Sequence, residues 1–244
     1  MRGSLDTRLK AVIMLLGVAL AGPAAAGERP LPFVAEYKAS YAGFSGDIRM
    51  ELAPAGTDDE FIYRVTTRAR GLARLIRPGT ATEEARFRVA DDRLIPLRYS
   101  IDDGTKKGED DTSIDFDWSS GTAHSVYEQS AEKLELEPDV HDRLTTDLKV
   151  MRSLRDGEPL EHFRIAEKNA IRDYEFVYRG EETIEVPAGQ FATRKYLRQR
   201  IGSSRATLIW FAPALDYLPV RIEQLKRGKT SITTVATDIS IDGV

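Results

Sequence analysis

Apolar and polar residues alternate along most of this chain, as they do in strands that bury one face. The first clear run, from Phe33 to Tyr41, places aromatic and small apolar residues at every second position. Gly43 and Gly46 then mark a turn, and the alternation resumes at Ile48. Short alternating runs separated by Gly, Pro and Asp are typical of antiparallel hairpins. The pattern therefore predicts a mainly β protein.

The same hairpin pattern continues towards the C terminus. Strands joined by turns of a few residues must be antiparallel. We find no repeat of fixed period and no low-complexity linker, so we expect residues 27–244 to form a single domain. Further alternating runs are found at 61–65, 82–89, 94–101, 112–118, 122–127, 163–165, 174–178, 183–186, 191–201, 207–211, 217–225 and 231–241.

One segment in the middle of the chain has the periodicity of a helix. Apolar residues from Leu144 to Leu154 follow the spacing of an amphipathic helix. Asp139 or Asp142 can cap its start, and Gly157 is a typical stop signal. We expect this helix to cover the apolar face of the sheet. The predicted fold is an open or half-barrel antiparallel sheet partly covered by one helix.

The N-terminal segment has the organisation of a secretory signal peptide. Basic residues within positions 2–10 precede the apolar run 11–21, and small residues lead to Ala26. The apolar run is shorter than the roughly 20 residues that a membrane-spanning helix needs. We therefore expect residues 1–26 to be removed, and the mature chain to begin near Gly27 with no transmembrane segment.

The absence of cysteine helps to predict the cellular compartment of the protein. The chain contains Cys 0, which excludes disulfides, thiolate nucleophiles and cysteine-ligated metals. It also excludes a lipid anchor on a cysteine at the cleavage site. An exported protein without cysteine fits a bacterial periplasm, so we expect a periplasmic protein that is not lipid-anchored.

The charge balance argues against nucleic acid as a partner. Lys+Arg 35 and Asp+Glu 39 give a net charge of -4, and no run of like charge is present. A nucleic-acid-binding chain would show clustered basic residues. The sequence also has no polybasic segment that would attract anionic lipid.

No catalytic or metal-binding motif is evident. His124, His141 and His162 lack the spacing of metal ligands, so we expect no metal and no cofactor. Asp115 and Asp117 would share one face of a strand, as the carboxylates of glycan hydrolases sometimes do. A solvated hairpin is the favoured explanation of these acids. We therefore expect a binding protein rather than an enzyme, with a glycan hydrolase as the least favoured alternative.

Aromatic residues on the predicted strands are the better candidates for a binding site. Trp118, Trp210, Phe211 and Tyr217 are the ligand contacts that we predict, because concave sites for small molecules are mostly apolar. The alternative is that these rings fill the core. The predicted function is a binding module for an amphipathic or lipid-like ligand. An envelope assembly protein that pairs through an exposed sheet edge is the alternative.

Three segments resemble the motifs of a known family. Val186–Phe191 resembles its V-P-A-G-x-F motif, and Trp210–Pro213 with Tyr217–Ile222 resembles its W-x-A-P and L-P-V-R motifs. Asp142–Thr145 is similar to its D-x-L-S step, with Thr145 in place of serine. The mature chain thus resembles the DUF3108 family of exported bacterial proteins. The resemblance implies a single-domain, mainly β periplasmic protein and supplies no catalytic residue, because the function of the family is unknown.

A looser likeness concerns architecture alone. The predicted fold is similar to the lipoprotein-carrier fold, a half-open antiparallel barrel whose concave apolar face takes acyl chains. A likeness of fold by itself does not identify a ligand.

Overall fold

The alternating segments form one large sheet. The computed structural model of the protein describes residues 29–76, 78–160 and 162–243, so the predicted signal peptide lies outside the described residues. The sheet has 15 strands. The strands are β1 (Phe33–Tyr41), β2 (Phe44–Ala55), β3 (Thr57–Ala69), β4 (Thr80–Ala90), β5 (Arg93–Asp102), β6 (Thr112–Asp117), β7 (Thr122–Tyr127), β8 (Ser130–Glu135), β9 (Val140–Asp142), β10 (His162–Glu167), β11 (Ala170–Val186), β12 (Gly189–Arg200), β13 (Arg205–Ala212), β14 (Leu218–Lys226) and β15 (Lys229–Ile241). The helices of the described residues are the short α1 (Ala73–Ile76), α2 (Arg143–Asp156) and a 3-10 turn at Pro213–Leu215.

The strand order is a meander that joins the two ends of the chain. It runs β8-β7-β6-β5-β4-β3-β2-β1-β15-β14-β13-β12-β11-β10-β9, so the first and last strands are hydrogen-bonded neighbours. Phe33 lies opposite Ile241 and Ser40 opposite Thr233 in this pair. The prediction of a mainly β, antiparallel and non-closed sheet is confirmed.

The short strand β9 forms one parallel pair within the otherwise antiparallel sheet. β9 and β10 are parallel, with Val140 opposite Arg164 and Asp142 opposite Ala166. Adjacent parallel strands need a crossover connection, and α2 lies between these two strands in the chain. Antiparallel pairing was predicted for strands joined by short turns, whereas β9, which was not predicted as a strand, is joined to β10 by α2. The two strands are parallel because the helix returns the chain to its starting end.

The sheet curls until its two edges approach each other. Asn169, in the turn between β10 and β11, donates to the carbonyl oxygen of Ser130 on β8 over 3.1 Å. Lys168 in the same turn donates to the hydroxyl of Tyr127 over 2.6 Å, and Ser125 donates to the Lys168 carbonyl oxygen. These contacts bridge the edges without a strand ladder, so the fold is an open barrel.

The helix α2 begins and ends where the sequence predicts. The Asp142 carboxylate caps its start by accepting the backbone N–H of Thr145 over 2.9 Å. Gly157 ends it in the left-handed conformation at φ 72°, where a side chain would be strained. One face of the helix is buried against the sheet. The buried apolar residues of α2 are Leu144, Leu148, Val150, Met151 and Leu154.

The helix α2 plugs one end of the barrel. Near its C terminus, Arg152 forms an ion pair with Asp92 in the turn between β4 and β5, and Arg155 forms one with Asp216 after β13 at 3.3 Å. We call this the closed end. The opposite end, which carries the turns β1–β2, β3–β4, β12–β13 and β14–β15, is the open end. Among the described residues, neither helix is long and apolar enough to cross a bilayer.

Candidate functional site

A cavity of about 240 Å³, which we call the chamber, lies inside the curled sheet. Strands β2 to β5 form one side of it and β12 to β15 the other, while the N-terminal part of α2 completes the wall. The inward positions of the alternating strands supply its mostly apolar surface. Apolar side chains that line it include Ile48, Val65, Ile101, Ile209, Phe211 and Ile222.

The chamber opens to solvent at the open end of the barrel. Thr67 and Gln224 line the chamber and are exposed, and both lie close to the open-end termini of β3 and β14. Tyr63 and Phe211 line it further towards the closed end and are buried. We call the side of the chamber near Thr67 and Gln224 the mouth.

Two ion pairs form a charged wall on the α2 side of the chamber. Nε of Arg143 donates to Oε1 of Glu83 over 2.6 Å, and a second guanidinium, that of Arg198, pairs with Asp147 at 2.8 Å. The Tyr99 hydroxyl also donates to Oε1 of Glu83, over 2.5 Å. We call Glu83, Arg143, Asp147 and Arg198 the charged wall. Four charged groups in a mostly apolar pocket are costly to bury unless they are paired, as they are here.

The charged wall lies near the mouth. Arg198 is opposite Thr207 in the register of β12 and β13, and Thr207 is opposite Gln224 in the register of β13 and β14. Gln224 marks the mouth, so Arg198 is at the same level. A ligand with one polar end could therefore place that end against the charged wall and its apolar part deeper in the chamber.

Burial shifts the pKa of Arg143 in the charged wall without removing its charge. Desolvation lowers the pKa of Arg143, and the nearby Asp147 carboxylate opposes this by raising it. The side chain of Arg143 is still 37% accessible, and the residue lines the chamber. A guanidinium remains charged because its ordinary pKa is far above neutrality. The wall can thus offer N–H donors to an anionic or polar headgroup.

Of the predicted aromatic contacts, Phe211 lines the chamber. Its neighbour Trp210 is buried on the other face of β13. There the indole Nε1 donates to Glu182 on β11, and Lys195 on β12 lies 4.5 Å from the ring centroid. The structure therefore places these two consecutive residues on opposite sides of the sheet. The role of Trp210 in ligand binding stays a prediction.

Tyr217 and Trp118 lie in two other places. The Arg194 guanidinium stands over the ring of Tyr217 at 5.7 Å, next to the 3-10 turn at the closed end. Trp118 donates its Nε1–H to the carbonyl oxygen of Pro96 over 2.7 Å and lines a separate cavity of about 120 Å³. Neither residue lines the chamber. Their predicted roles as ligand contacts stay predictions.

The histidines occupy separate positions. His124 on β7 and His162 on β10 are exposed, while His141 is buried on β9. Nδ1 of His141 has no hydrogen-bond partner in the described residues, and burial lowers its pKa to about 3. His141 is therefore neutral in the folded protein at neutral pH.

The acidic pair that a glycan hydrolase would use lies on the outer face of β6. Asp115 is exposed and forms an ion pair with Arg98 at 3.2 Å. Asp117 accepts the hydroxyl and backbone N–H of Ser119 over 2.6 and 3.0 Å, so it stabilises the β6–β7 turn. Hydrogen bonds from Ser119 and its neighbour lower the pKa of Asp117 to about 2. A general acid needs a raised pKa, so this environment does not suit that role.

A separate cluster of acidic residues lies at the end of β5 and in the loop between β5 and β6. Carboxylate oxygens of Asp102, Asp103 and Asp111 lie within 4.8 Å of one another. Several of these oxygens accept backbone N–H groups of the same loop. The N–H of Asp103 donates to the Asp111 carboxylate over 2.9 Å, and the N–H of Thr105 donates to the Asp103 carboxylate over 2.7 Å. The hydrogen bonds give the acids a structural role in the loop.

The family of the chain follows from its match to a protein-family model. A model described as "Protein of unknown function (DUF3108)" matches residues 36–233. The chain belongs to the DUF3108 family. The match covers most of the described sheet, and the resemblance that rests on Val186–Phe191 and the other short motifs is confirmed.

This DUF3108 protein is similar in fold to a solved structure of another family. A β-barrel-like protein of the domain of unknown function DUF1849 from Brucella abortus aligns with 8% identity and a TM-score of 0.51, over 89% of this chain and 100% of that chain. The likeness shows a shared fold alone. MucB aligns with 9% identity over 89% of this chain and 56% of its own, and its TM-score of 0.37 is too low to support any argument. No curated protein matches the sequence significantly.

Proposed function

We propose that the chamber binds an amphipathic ligand with a single acyl chain and an anionic headgroup. The observation that carries the proposal is the combination of an apolar interior and a charged wall within one pocket. The acyl chain would lie against Tyr63 and Phe211, and the headgroup would contact Arg143 and Arg198 near the mouth. Apolar pockets with a few placed polar groups are typical of small-molecule sites.

The size of the chamber supports a slender ligand. Its volume of about 240 Å³ is below the range of about 300–1,000 Å³ that is usual for drug-sized ligands. A single hydrocarbon chain fits such a space better than a diacyl lipid or a fused-ring molecule. A fatty acid, which has one chain and a small headgroup, is therefore the single-chain lipid that suits this space best.

A fluorescent fatty acid tests the proposal. Protein purified after export is delipidated and titrated with cis-parinaric acid, and oleate is then added as a competitor. We expect a saturable rise in fluorescence that oleate reverses. A linear, non-saturable signal, or a signal that oleate does not reverse, would contradict the proposal.

We propose the periplasm as the place where the protein acts. The predicted signal peptide of residues 1–26 and the absence of cysteine support this location. Cell fractionation with N-terminal sequencing tests it. Recovery of a chain that starts near Gly27 in the periplasmic fraction is expected, and an unprocessed chain in the cytoplasm would contradict it.

Pairing through a sheet edge has weaker support. The β8 edge carries Glu132, Lys133 and Glu135, and charged residues on an edge discourage pairing with another strand. The other edge strand, β9, has three residues and is buried throughout. No described feature favours this alternative over the chamber.

A further inference from the structure

Four turns lie side by side at the open end of the barrel. The strands that they connect, from β4 through β1 and β15 to β12, are consecutive in the sheet. Backbone hydrogen bonds join neighbouring turns: Arg70 donates to Ser45, and Arg227 donates to Ser204, both over 2.8 Å. We call this surface the rim. The rim consists of residues 40–47, 68–75, 200–206 and 225–230.

Large apolar side chains are exposed on the rim. Leu72 and Leu75 are 75% and 82% exposed, and Tyr41, Phe44 and Ile201 are also exposed. The other large exposed apolar residues of the described chain are Leu31 and the adjacent pair Val177 and Tyr178 on β11, and each is less exposed than Leu72 or Leu75. A local cluster of exposed apolar residues marks an interaction surface, because water contact with each of them is unfavourable.

The rim is also strongly basic although the whole chain has a net charge of -4. Asp47, which forms an ion pair with Arg70, is the acidic residue of the rim. The acidic loop 102–111 lies at the same end but beyond β4, outside the rim. Basic residues of the rim are Arg68, Arg70, Arg74, Arg200, Arg205, Lys226, Arg227 and Lys229.

The closed end has the opposite charge. Its turns at 57–60, 90–93 and 135–140 are rich in Asp and Glu, with Arg93 as their basic residue. The rim and these closed-end turns therefore carry opposite charge, although the acidic loop 102–111 also lies at the open end, next to Gly79. An anionic surface would orient the molecule with the rim towards it.

We propose that the rim docks onto the surface of an anionic phospholipid bilayer. Apolar side chains flanked by Lys and Arg have the chemistry that binds such a surface, because the apolar groups enter the headgroup region and the cations contact the phosphates. Leu72 and Leu75 are the residues that enter, and Arg74 lies between them in the chain. An acidic protein would satisfy the charges and leave the leucines without a matching surface.

Docking has a consequence for the chamber. The mouth, near Thr67 and Gln224, opens at the same end as the rim. A docked molecule would hold the mouth against the bilayer, where single-chain lipids are available. The inference goes beyond the proposed function, since docking does not require an occupied chamber.

Vesicle flotation tests the inference. Protein purified after export is mixed with vesicles of phosphatidylcholine alone or of phosphatidylcholine with phosphatidylglycerol. We expect the protein to float with the phosphatidylglycerol vesicles only. About 1 M salt shortens the Debye length to about 3 Å and should release the protein.

Matched variants locate the surface. The double variant Arg74→Glu and Lys229→Glu should bind the anionic vesicles at least about tenfold more weakly, because two cations near the lipid phosphates become anions. The control, Arg93→Glu in a closed-end turn with Lys133→Glu on β8, makes the same charge change away from the rim and should keep wild-type binding. Leu72→Ser with Leu75→Ser should also weaken binding, whereas Leu31→Ser with Val177→Ser should not.

Several results would overturn the inference. They are a failure to float with any vesicle, equal binding to both vesicle types, and unchanged binding of the rim variants. A salt-sensitive dimer without vesicles would assign the rim to a second copy of the chain. Titration with cis-parinaric acid in vesicle-free solution separates this inference from the chamber proposal. Flotation without fatty-acid binding keeps the inference and overturns the chamber proposal. Fatty-acid binding without flotation keeps the chamber proposal and overturns the inference.

Discussion

Arg143 at the start of α2 pairs with Glu83 on β4, which lies 60 positions earlier in the chain. This ion pair joins the helical plug to the sheet and forms part of the chamber wall. Tyr99 donates to the same carboxylate oxygen over 2.5 Å, so Glu83 holds two partners from two different elements. Loss of Glu83 would leave Arg143 without this partner at a site where the guanidinium is only partly accessible.

Glu83→Gln tests the structural role of this pair. We expect the free energy of unfolding to fall by about 1–3 kcal/mol, less than for a fully buried pair because the Arg143 side chain is 37% accessible. Affinity for a fatty-acid carboxylate should rise, since Arg143 becomes available. Urea denaturation and fluorescence titration measure the two effects.

The adjacent residue supplies the control for Glu83. Glu84 pairs with Arg64 at 2.6 Å on the outer face of the sheet. Glu84→Gln should change the free energy of unfolding by no more than about 1 kcal/mol and leave ligand affinity unchanged. Equal losses in the two variants would mean that the Arg143–Glu83 pair has no special role.

The buried helix cap Asp142 makes stability depend on pH. Burial raises its pKa from 3.8 to about 6, although hydrogen bonds from Thr145 oppose this shift. The folded protein therefore holds a proton that the unfolded chain has lost, and this group's contribution to stability falls as pH rises from about 4 to about 6. Asp142→Asn keeps a capping oxygen and should stabilise the protein by about 1–3 kcal/mol above pH 6.

Thermal denaturation across this pH range checks the Asp142 prediction. The midpoint of Asp142→Asn should exceed that of the wild type at pH 7 and approach it at pH 4. Asp142→Ala, which also loses the cap, should be less stable than Asp142→Asn at every pH. A wild type that remains more stable than Asp142→Asn at pH 7 would contradict the assigned pKa direction.

His141 makes stability depend on pH in the direction opposite to Asp142. Burial is the main cause that lowers its pKa from 6.5 to about 3, and Lys149 adds to the shift. The unfolded chain therefore takes up a proton that the folded protein refuses, and stability is lost as pH falls from about 6.5 towards 3. His141→Leu removes this titration and a buried nitrogen without a partner, so it should reduce acid sensitivity.

The control for His141 is another histidine. His124 is exposed on β7, and His124→Leu matches the chemical change at a site that water reaches. Acid denaturation followed by circular dichroism should show a lower midpoint pH for His141→Leu alone. The same shift in both variants would show that burial of His141 is not its cause.

Arg198 is the residue of the charged wall that best tests headgroup recognition. It lies level with the mouth and pairs with Asp147 at 2.8 Å. Arg198→Gln should weaken binding of a fatty acid by about tenfold, because a charge-assisted hydrogen bond is lost, and should leave binding of the matching fatty alcohol nearly unchanged. Arg200→Gln, which removes a nearby cation paired with Glu167 outside the chamber, is the control.

Competition titrations with the acid and the alcohol measure this difference. A loss of equal size for both ligands would place the headgroup elsewhere in the chamber. A loss with Arg200→Gln as large as with Arg198→Gln would attribute the effect to net charge.

The sheet and the helix could be predicted because their signals are local. Alternation from Phe33 to Tyr41 reports which face of β1 is buried, and the capping signals at Asp142 and Gly157 mark the ends of α2. The parallel strand β9 could not be predicted in this way. Its three residues, Val140–Asp142, are too few for alternation, and all are buried.

The charged wall had a partial signal in the sequence. Glu83 occupies an inward position of β4 together with Ala85 and Phe87, where an apolar residue is expected. That signal identifies a charge that needs a partner, but the partner depends on how α2 enters the barrel. Arg143 could therefore be assigned to Glu83 only from the structure.

The rim illustrates a second limit of sequence patterns. Its cations come from four separate turns, so the chain shows no run of like charge. No segment of the sequence therefore predicts attraction to anionic lipid. Only the strand order brings Arg74, Arg205 and Lys229 to one end of the barrel.

The central claim is that the chamber holds a single-chain amphipathic ligand, and native mass spectrometry with a chamber-filling variant tests it most directly. Ile222→Trp places an indole in the chamber, while Val177→Trp adds the same ring on an exposed position of β11. We expect wild type and Val177→Trp purified after export to carry an adduct with the mass of one single-chain lipid, and Ile222→Trp to lack it. An adduct-free wild type, or equal adducts in all three proteins, would contradict the claim.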